Sequence, residues 1–159
     1  MADSRHHRGF TLVEILVVIG VIAVLASMVV AITLRVENQS KEQTVANVFA
    51  VLKGALREYY EFSDKFPAQP ERNSANATAH MELLVAALEQ VPASREMLKG
   101  ISGELVKNNK GQPDVSKIYD PWGTIIDYVC TPDDQFPELI SAGRDKQFGT
   151  ADDISSRGK

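Results

Sequence analysis

Hydrophobic positions divide the chain into an apolar segment, an amphipathic segment and a mixed remainder. Residues 15–34 are uncharged and mostly apolar, and the run ends at Arg35. A helix of about twenty apolar residues, rising ~1.5 Å per residue, is long enough to cross a hydrocarbon core of ~30 Å. Apolar residues then recur at three- and four-residue spacing, which predicts one helical stripe formed by Val45, Val48, Phe49, Leu52, Leu56, Tyr59 and Tyr60. The pattern predicts one long helix that ends before Pro67, with its first half in lipid and its second half in a globular head.

The rest of the chain predicts shorter elements. The apolar spacing in residues 81–88 predicts a second, short helix, and residues 94–99 predict a third. Residues 103–116 are polar and predict a loop. The β-rich segments 124–130 and 136–140 are separated by turn residues and predict short strands. The expected fold class is α+β, with the long transmembrane-plus-spine helix packed on short helices and a small antiparallel β-sheet.

Length and charge narrow the possible functions. At 159 residues, the chain suits one anchor plus one small globular head. Its formal net charge of −4 argues against nucleic acid as a partner, since non-specific binding needs a basic surface. Arg5 and Arg8 precede the apolar run, so this leader is expected to stay in the cytoplasm and the head to be exported. Gly9 also precedes the run, which is longer than that of a secretory signal peptide, so we expect the anchor to be retained.

Residues that often carry chemistry have structural interpretations in this sequence. Cys130 is the single cysteine, cannot form an internal disulfide and lies in an alternating apolar stretch, so we expect it to be a buried strand residue. His80 has no second histidine, cysteine or carboxylate four residues later, so we expect a surface or capping residue. Trp122 is expected to pack between helix and sheet. The sequence contains no set of nucleophile, base and orienting residue, which predicts that the protein is not an enzyme.

An acidic stretch near the C-terminus is a candidate metal site. Asp145, Asp152 and Asp153 fall within nine residues, and Gly149 between them allows a tight reversal. Calcium takes about six to eight oxygen ligands from carboxylates, backbone carbonyls and water. The spacing does not follow the EF-hand pattern. Composition alone leaves a solvated acidic loop and a metal site both open.

The N-terminal motif resembles that of a known family. The segment Gly9-Phe-Thr-Leu-Val-Glu14, between a basic leader and a membrane-length helix, resembles the cleavage and methylation signature of type IV pilins and of the pseudopilins of type II secretion. The resemblance implies that a prepilin peptidase cuts after Gly9 and that Phe10 becomes the N-methylated N-terminus. It also implies that Glu14 meets the free N-terminus of a neighbouring subunit during assembly.

That resemblance implies three segments. Residues 1–9 would be a prepilin leader peptide, residues 10–34 a transmembrane assembly helix and residues 35–159 a periplasmic globular head. The chain departs from the family in one respect. Pilins commonly break the helix with a proline, whereas this sequence has no proline between Gly9 and Phe66.

The C-terminal part resembles the major pseudopilin in particular. The turn Asp120-Pro-Trp-Gly123 and the later pattern Ser-x-Gly-x-Asp…Gly-Thr-x-Asp-Asp-Ile are similar to the sheet entry and the calcium loop of that protein. Minor pilins and competence pseudopilins generally lack this loop. The resemblance implies a structural Ca²⁺ with side-chain ligands Asp145, Asp152 and Asp153 and backbone carbonyl ligands Ala142 and Thr150.

The function implied is that of a major pseudopilin, a structural subunit whose helical filament drives protein export. Its partners would be further copies of the chain, minor pseudopilins, an inner-membrane assembly platform and the prepilin peptidase. Its location would be the bacterial inner membrane, crossed once, with the head in the periplasm. The alternatives are a type IV pilin or competence pseudopilin for adhesion or DNA uptake, and an anchored calcium-binding module that does not polymerise. Segment 66–117 is longer than in the pseudopilins that the chain resembles, and its role does not follow from the sequence.

Overall fold

Helix α1 contains both the apolar and the amphipathic segment. It runs over Leu12–Ser63, 52 residues, without interruption. The helix ends before Pro67, as predicted, at a point where Asp64 takes a left-handed φ of 57°. The structure, a computed structural model, describes residues 11–69, 71–106, 117–131 and 134–158, with only the backbone of residues 30–34. The chain divides into two compact units, residues 1–38 and residues 39–159.

The second unit has the predicted α+β layout. A 3₁₀ turn, Ser74–Asn76, leads into the short helix α2 (Ala77–Leu88), and the short helix α3 (Pro92–Leu98) follows it. In the part of the chain that the structure describes, they are followed by three strands, β1 (Asp127–Val129), β2 (Glu138–Ser141) and β3 (Ile154–Ser155). The strands form one antiparallel sheet in the order β1-β2-β3. Fold class is therefore confirmed, while most of the predicted loop at 103–116 lies outside the described residues.

The strands are shorter than the sequence predicts. Strand β1 keeps only the middle of segment 124–130, because Ile125 and Cys130 instead form isolated bridges with Tyr119 and Gln69. Strand β2 begins at Glu138 and not at Phe136. Proline has no N–H to donate to a ladder, so Pro137 belongs before the strand. Strand β3 was not predicted at all, since two residues carry no alternating pattern.

The core of the second unit lies between α1, α2 and the sheet. The predicted stripe of α1 is buried as far as Leu56, and Tyr59 packs against the core. The prediction for Tyr60 is wrong: the residue is 42% exposed and its ring lies 4.7 Å from that of Phe66. From the other elements the core takes Met81, Leu84, Val85, Leu88, Ile126, Tyr128 and Leu139.

Helix α3 is held directly against α1. The Ser94 hydroxyl is buried and donates a hydrogen bond of 2.8 Å to the carbonyl of Ala55. A Cβ atom placed on Gly54 would lie 2.6 Å from the terminal methyl of Met97. Glycine at this position therefore leaves room for the side chain of Met97 against α1.

His80 is buried, contrary to the sequence prediction of a surface or capping residue. Its side chain is 1% exposed, and its two ring nitrogens face Asp127 of β1 and Glu71. Residue 80 belongs to the i, i+3, i+4, i+7 stripe of α2 that begins at Ala77 and ends at Leu88. This spacing places it on the face that packs against the sheet, so the stripe was the better guide to its position.

The predictions for the other two single residues are confirmed. Cys130 is buried directly after β1, and this burial raises the pKa of its thiol. Trp122 is partly buried and packs against the core. Among the described residues its indole N–H has no hydrogen-bond partner. Both residues therefore serve packing.

Candidate assembly helix and carboxylate loop

The first candidate site is the apolar part of α1. The window Leu12–Val29 has a mean hydropathy of 2.8, and none of it is buried. Five consecutive residues, 15–19, have exposed fractions between 49% and 60%. Five residues cover more than one helical turn, so the helix is apolar around its circumference. Such a surface is stable only when lipid or other apolar helices cover it.

Thr11 caps the first turn of α1. Its side-chain oxygen accepts a hydrogen bond of 3.2 Å from the N–H of Glu14, and its carbonyl accepts one of 3.2 Å from Ile15. Glu14 lies in the first turn, where a negative charge is favoured by the helix dipole. Thr-x-x-Glu at a helix start is the capping-box pattern. This role of Thr11 was not predicted, although the pattern is present in the sequence.

The processing residues cannot be placed by the structure. Gly9 and Phe10 lie outside the described residues, so cleavage after Gly9 and methylation of Phe10 remain predictions.

Helix α1 continues through Gly20 and Ser27, and the Ser27 hydroxyl donates a hydrogen bond of 2.7 Å to the carbonyl of Val24. That bond satisfies the hydroxyl inside an apolar surface, so α1 is unbroken here.

The second candidate site is the loop between β2 and β3, with Asp152 at its centre. One carboxylate oxygen of Asp152 accepts the N–H of Asp145 at 2.9 Å, and the other accepts the Thr150 hydroxyl at 2.7 Å. The bond from Thr150, followed by that from the Asp145 N–H, lowers the pKa of Asp152 to about 2. The structure therefore brings Asp145 and Asp152 together across the loop, as the sequence predicts.

The remaining carboxylates hold the turn of this loop. Oδ1 of Asp145 accepts the N–H of Gln147 at 2.8 Å, and Oδ2 of Asp153 accepts the N–H of Gly149 at 2.7 Å. Oδ1 of Asp153 is buried and has no hydrogen-bond partner among the described residues. A buried carboxylate oxygen without a donor is the kind of group that a cation would satisfy.

Gly143 determines how closely the two sides of the loop approach. Its φ is +67°, and a Cβ on it would lie 2.2 Å from the backbone oxygen of Asp152. Ala142 beside it is fully buried. The backbone carbonyl of Thr150 accepts the N–H of Asp153 at 3.4 Å. The five predicted calcium ligands thus all belong to the loop between β2 and β3.

All five predicted calcium ligands are oxygen atoms, which suits a hard cation such as Ca²⁺. Within the parts of the chain that the structure describes, no three histidine, cysteine, aspartate or glutamate side chains are arranged to hold a metal ion. Occupancy by calcium therefore remains a prediction.

Asp120 ties the Asp-Pro-Trp-Gly turn to the start of the loop. The buried carboxylate accepts the N–H groups of Trp122 and Thr124 at 3.0 and 2.9 Å, and the Ser141 hydroxyl at 2.7 Å. Ser141 in turn accepts the N–H of Gly143 at 3.2 Å. The sequence analysis assigned no role to Asp120, although an aspartate before Pro-x-Gly commonly accepts hydrogen bonds from the following backbone.

Comparison with known proteins bears on the N-terminal helix and on the chain as a whole. The family description "Prokaryotic N-terminal methylation motif" matches residues 4–30. The type II secretion system core protein G of Escherichia coli K12 is 31% identical over 161 aligned positions, which cover 99% of this chain and 96% of that protein. The protein of the same name from Aeromonas hydrophila is 28% identical, covering 97% and 94%. No solved structure matches the chain.

The motif and the exposed apolar helix define the class, proteins with a prokaryotic N-terminal methylation motif and a single N-terminal apolar helix. The full-length similarity defines the family. The chain belongs to the family of the type II secretion system core protein G, the major pseudopilin. The predictions of family, of a structural subunit and of a protein that is not an enzyme are confirmed by this membership.

Proposed function

We propose that the chain is anchored in the bacterial inner membrane by α1, carries its head in the periplasm, and assembles into the helical filament that drives protein export by type II secretion. The observation that carries this proposal is the apolar window of α1, which the fold leaves without any burial. The second unit has a separate core, so covering that window does not contribute to folding the head. Its covering must come from lipid and from the helices of other subunits.

Processing prepares the helix for assembly. Cleavage after Gly9 removes Arg5 and Arg8 and creates a new amine at Phe10, close to the first turn of α1. A carboxylate in an apolar surrounding is costly unless a positive charge compensates it. Pairing of Glu14 with the N-terminal amine of a neighbouring subunit supplies that charge, and it also sets the axial step between subunits.

Repetition of that contact builds a filament. A contact between two different surfaces of identical subunits forms a ring if the rotation closes and an open helix if it does not. Minor pseudopilins and an inner-membrane assembly platform would start and extend the helix, and the prepilin peptidase would supply the mature subunit. The head would then face the periplasm.

Substitution of Glu14 tests the assembly. Glu14→Gln keeps the size of the side chain and its hydrogen bonding but removes the charge. In cells with the complete secretion system, this variant should insert into the membrane at the wild-type level and fail to form filaments or export substrates. Glu42→Gln, at an exposed position of the same helix, is the matched control and should behave as wild type. Normal filaments and export by Glu14→Gln would contradict the proposal.

Intact-mass analysis tests the processing. In cells that contain the peptidase, the mature protein should begin at Phe10 and carry one additional methyl group. An N-terminus that still contains Arg5 and Arg8, or a cut after Ala26, would remove the processing step from the proposal. Cells that form filaments and adhere to surfaces but do not export substrates would favour the alternative function of a type IV pilin.

We also propose that the loop between β2 and β3 binds Ca²⁺. The side chains of Asp145, Asp152 and Asp153 and the backbone carbonyls of Ala142 and Thr150 would hold the ion. Support comes from the unpartnered Oδ1 of Asp153 and from the contact that joins the two sides of the loop. When bound, the ion would neutralise neighbouring carboxylates and fix the C-terminal segment to the sheet. Its role would be structural.

A further inference from the structure

A buried histidine links helix α2 to strand β1. Nδ1 of His80 lies 2.7 Å from Oδ1 of Asp127, and Nε2 lies 3.3 Å from Oε1 of Glu71. The side chains of His80 and Asp127 are 1% and 0% exposed, whereas that of Glu71 is 51% exposed. The ring is therefore held between two carboxylates, one inside the core and one at its edge.

The geometry determines where the protons are. A neutral imidazole has one donor nitrogen and one acceptor nitrogen, and an ionised carboxylate only accepts. In the neutral ring one nitrogen carries no hydrogen. That nitrogen and the carboxylate oxygen facing it would then be two acceptors in contact, with no proton between them. A ring with hydrogen on both nitrogens satisfies both contacts. Carboxylic acids are stronger acids than imidazolium, with ordinary pKa values of about 4 against about 6.5, so the shared proton belongs on the ring.

The surrounding groups favour this charge. The Asn76 amide donates to Oε1 of Glu71 at 2.8 Å, and this bond, together with that to His80, lowers the pKa of Glu71. Arg72 beside Glu71 pairs with Asp134. Among the described residues, Oδ2 of Asp127 has no hydrogen-bond partner, so the ring of His80 is the one group that this carboxylate contacts through a hydrogen bond. On α2 itself, the nearest charged residue in sequence is Glu82, which pairs with Lys117.

We propose that His80 carries hydrogen on both ring nitrogens at neutral pH and that this imidazolium, held between Asp127 and Glu71, is a pH-sensitive clamp between α2 and β1. Above about pH 6.5, the folded protein then holds a proton that the unfolded chain has released. Stability falls with rising pH wherever the folded state binds more protons than the unfolded state. The contact is thus stronger in mildly acidic than in alkaline medium.

Nitrogen-15 NMR of the imidazole ring tests the protonation directly. The full chain in detergent micelles, labelled in histidine and carrying His6→Gln and His7→Gln, has His80 as its single histidine. At neutral pH both ring nitrogens should show the chemical shift of protonated nitrogen. One protonated and one unprotonated nitrogen would overturn the proposal, and this measurement needs no change in the clamp itself.

Urea denaturation between about pH 6 and pH 8, below the ordinary thiol pKa of about 8.5, tests the consequence. The unfolding equilibrium constant of the wild type should rise with pH, by up to about tenfold per unit where one proton separates the two states. Glu71→Gln removes one of the two charges, so the rise should begin at the same pH but level off at a lower pH and be smaller. Glu82→Gln, at the next carboxylate on α2, should leave the profile unchanged. A flat wild-type profile, or equal profiles for wild type and Glu71→Gln, would overturn the proposal.

Discussion

At Gly143 the backbone of the carboxylate loop passes so close to Asp152 that a side chain has no room. Alanine in a left-handed conformation costs about 1–2 kcal/mol. Gly149→Ala should lose only this amount, because no atom lies within 4 Å of its added Cβ. Gly143→Ala should lose more free energy of unfolding, since the new Cβ overlaps a backbone oxygen. Urea denaturation of both variants measures the difference, and equal losses would show that the two sides of the loop are further apart.

Asp134 links the turn after β1 to two arginines. It accepts hydrogen bonds from the N–H of Thr131 at 2.8 Å and from Arg157 and Arg72 at 2.7 and 3.1 Å. The Thr131 N–H, then the Arg157 guanidinium and the Thr131 hydroxyl, hold the pKa of Asp134 well below its ordinary range. The ionised form is therefore the one that the folded state favours.

This pKa predicts an acid dependence of stability. A lowered folded-state pKa contributes stability that is present above the unfolded value of about 4 and is lost as the pH falls below it. Asp134→Asn should reduce the stability at neutral pH and flatten its decline in acid, as measured by urea denaturation across that range. Thr131→Val removes one donor and should have an intermediate effect. A decline as steep in Asp134→Asn as in wild type would contradict this role.

Among the elements, α1 depends on its first turn for a defined start. Thr11→Ala removes the capping oxygen and should destabilise that turn by about 1 kcal/mol, whereas Thr11→Ser keeps the oxygen and should not. Hydrogen exchange of the Glu14 and Ile15 amides in micelles reports the change. Equal protection in Thr11→Ala and wild type would show that the turn is held by other contacts.

Helices were predictable from the sequence because their period repeats over many residues. The buried stripe of α1 follows from apolar spacing, although Tyr60 is exposed because it lies where the helix leaves the core. The same spacing predicts α2 from residue 81, four residues after its start at Ala77, and start and stop residues predict α3. Strands of two to four residues carry too little pattern, so β3 was missed and β2 was started before Pro137. The prediction for His80 is wrong because it considered the residue only as a metal ligand and not as a member of the apolar stripe of α2.

The sites were predictable to different degrees. Asp145, Asp152 and Glu14 were singled out by resemblance to a family with fixed motifs, and their roles as ligands and in assembly remain predictions. The bond from Ser141 to Asp120 and the close approach at Gly143 could not be predicted, since they depend on contacts between the turn at 120–123, β2 and the far side of the loop. A sequence shows neighbours along the chain, whereas those contacts join residues separated by up to 21 positions.

For the whole molecule, calcium should determine how firmly the C-terminal segment is held. A ligand that binds only the native state stabilises it by about 2.7 kcal/mol at a hundredfold excess over its dissociation constant. The full chain in detergent should therefore melt at a higher temperature in millimolar CaCl₂ than in EGTA, and Mg²⁺ should substitute poorly because it requires a tighter octahedral shell.

The controls for calcium use the same melting assay. Asp145→Ala and Asp152→Ala should each abolish the difference between CaCl₂ and EGTA. Glu61→Gln, an exposed carboxylate of α1, should retain it. Identical wild-type curves in the two buffers would leave the segment as a solvated acidic loop.

The buried position of Cys130 makes the chain convenient for mapping its own assembly. Thiol reagents attack the thiolate, and burial keeps this single cysteine both shielded and protonated. A cysteine introduced at an exposed site, such as Phe62 or Glu42, would then be the one reactive thiol of the subunit. Pairs of such variants could be cross-linked in intact filaments without first removing the native residue, and each disulfide formed would give a distance between neighbouring heads.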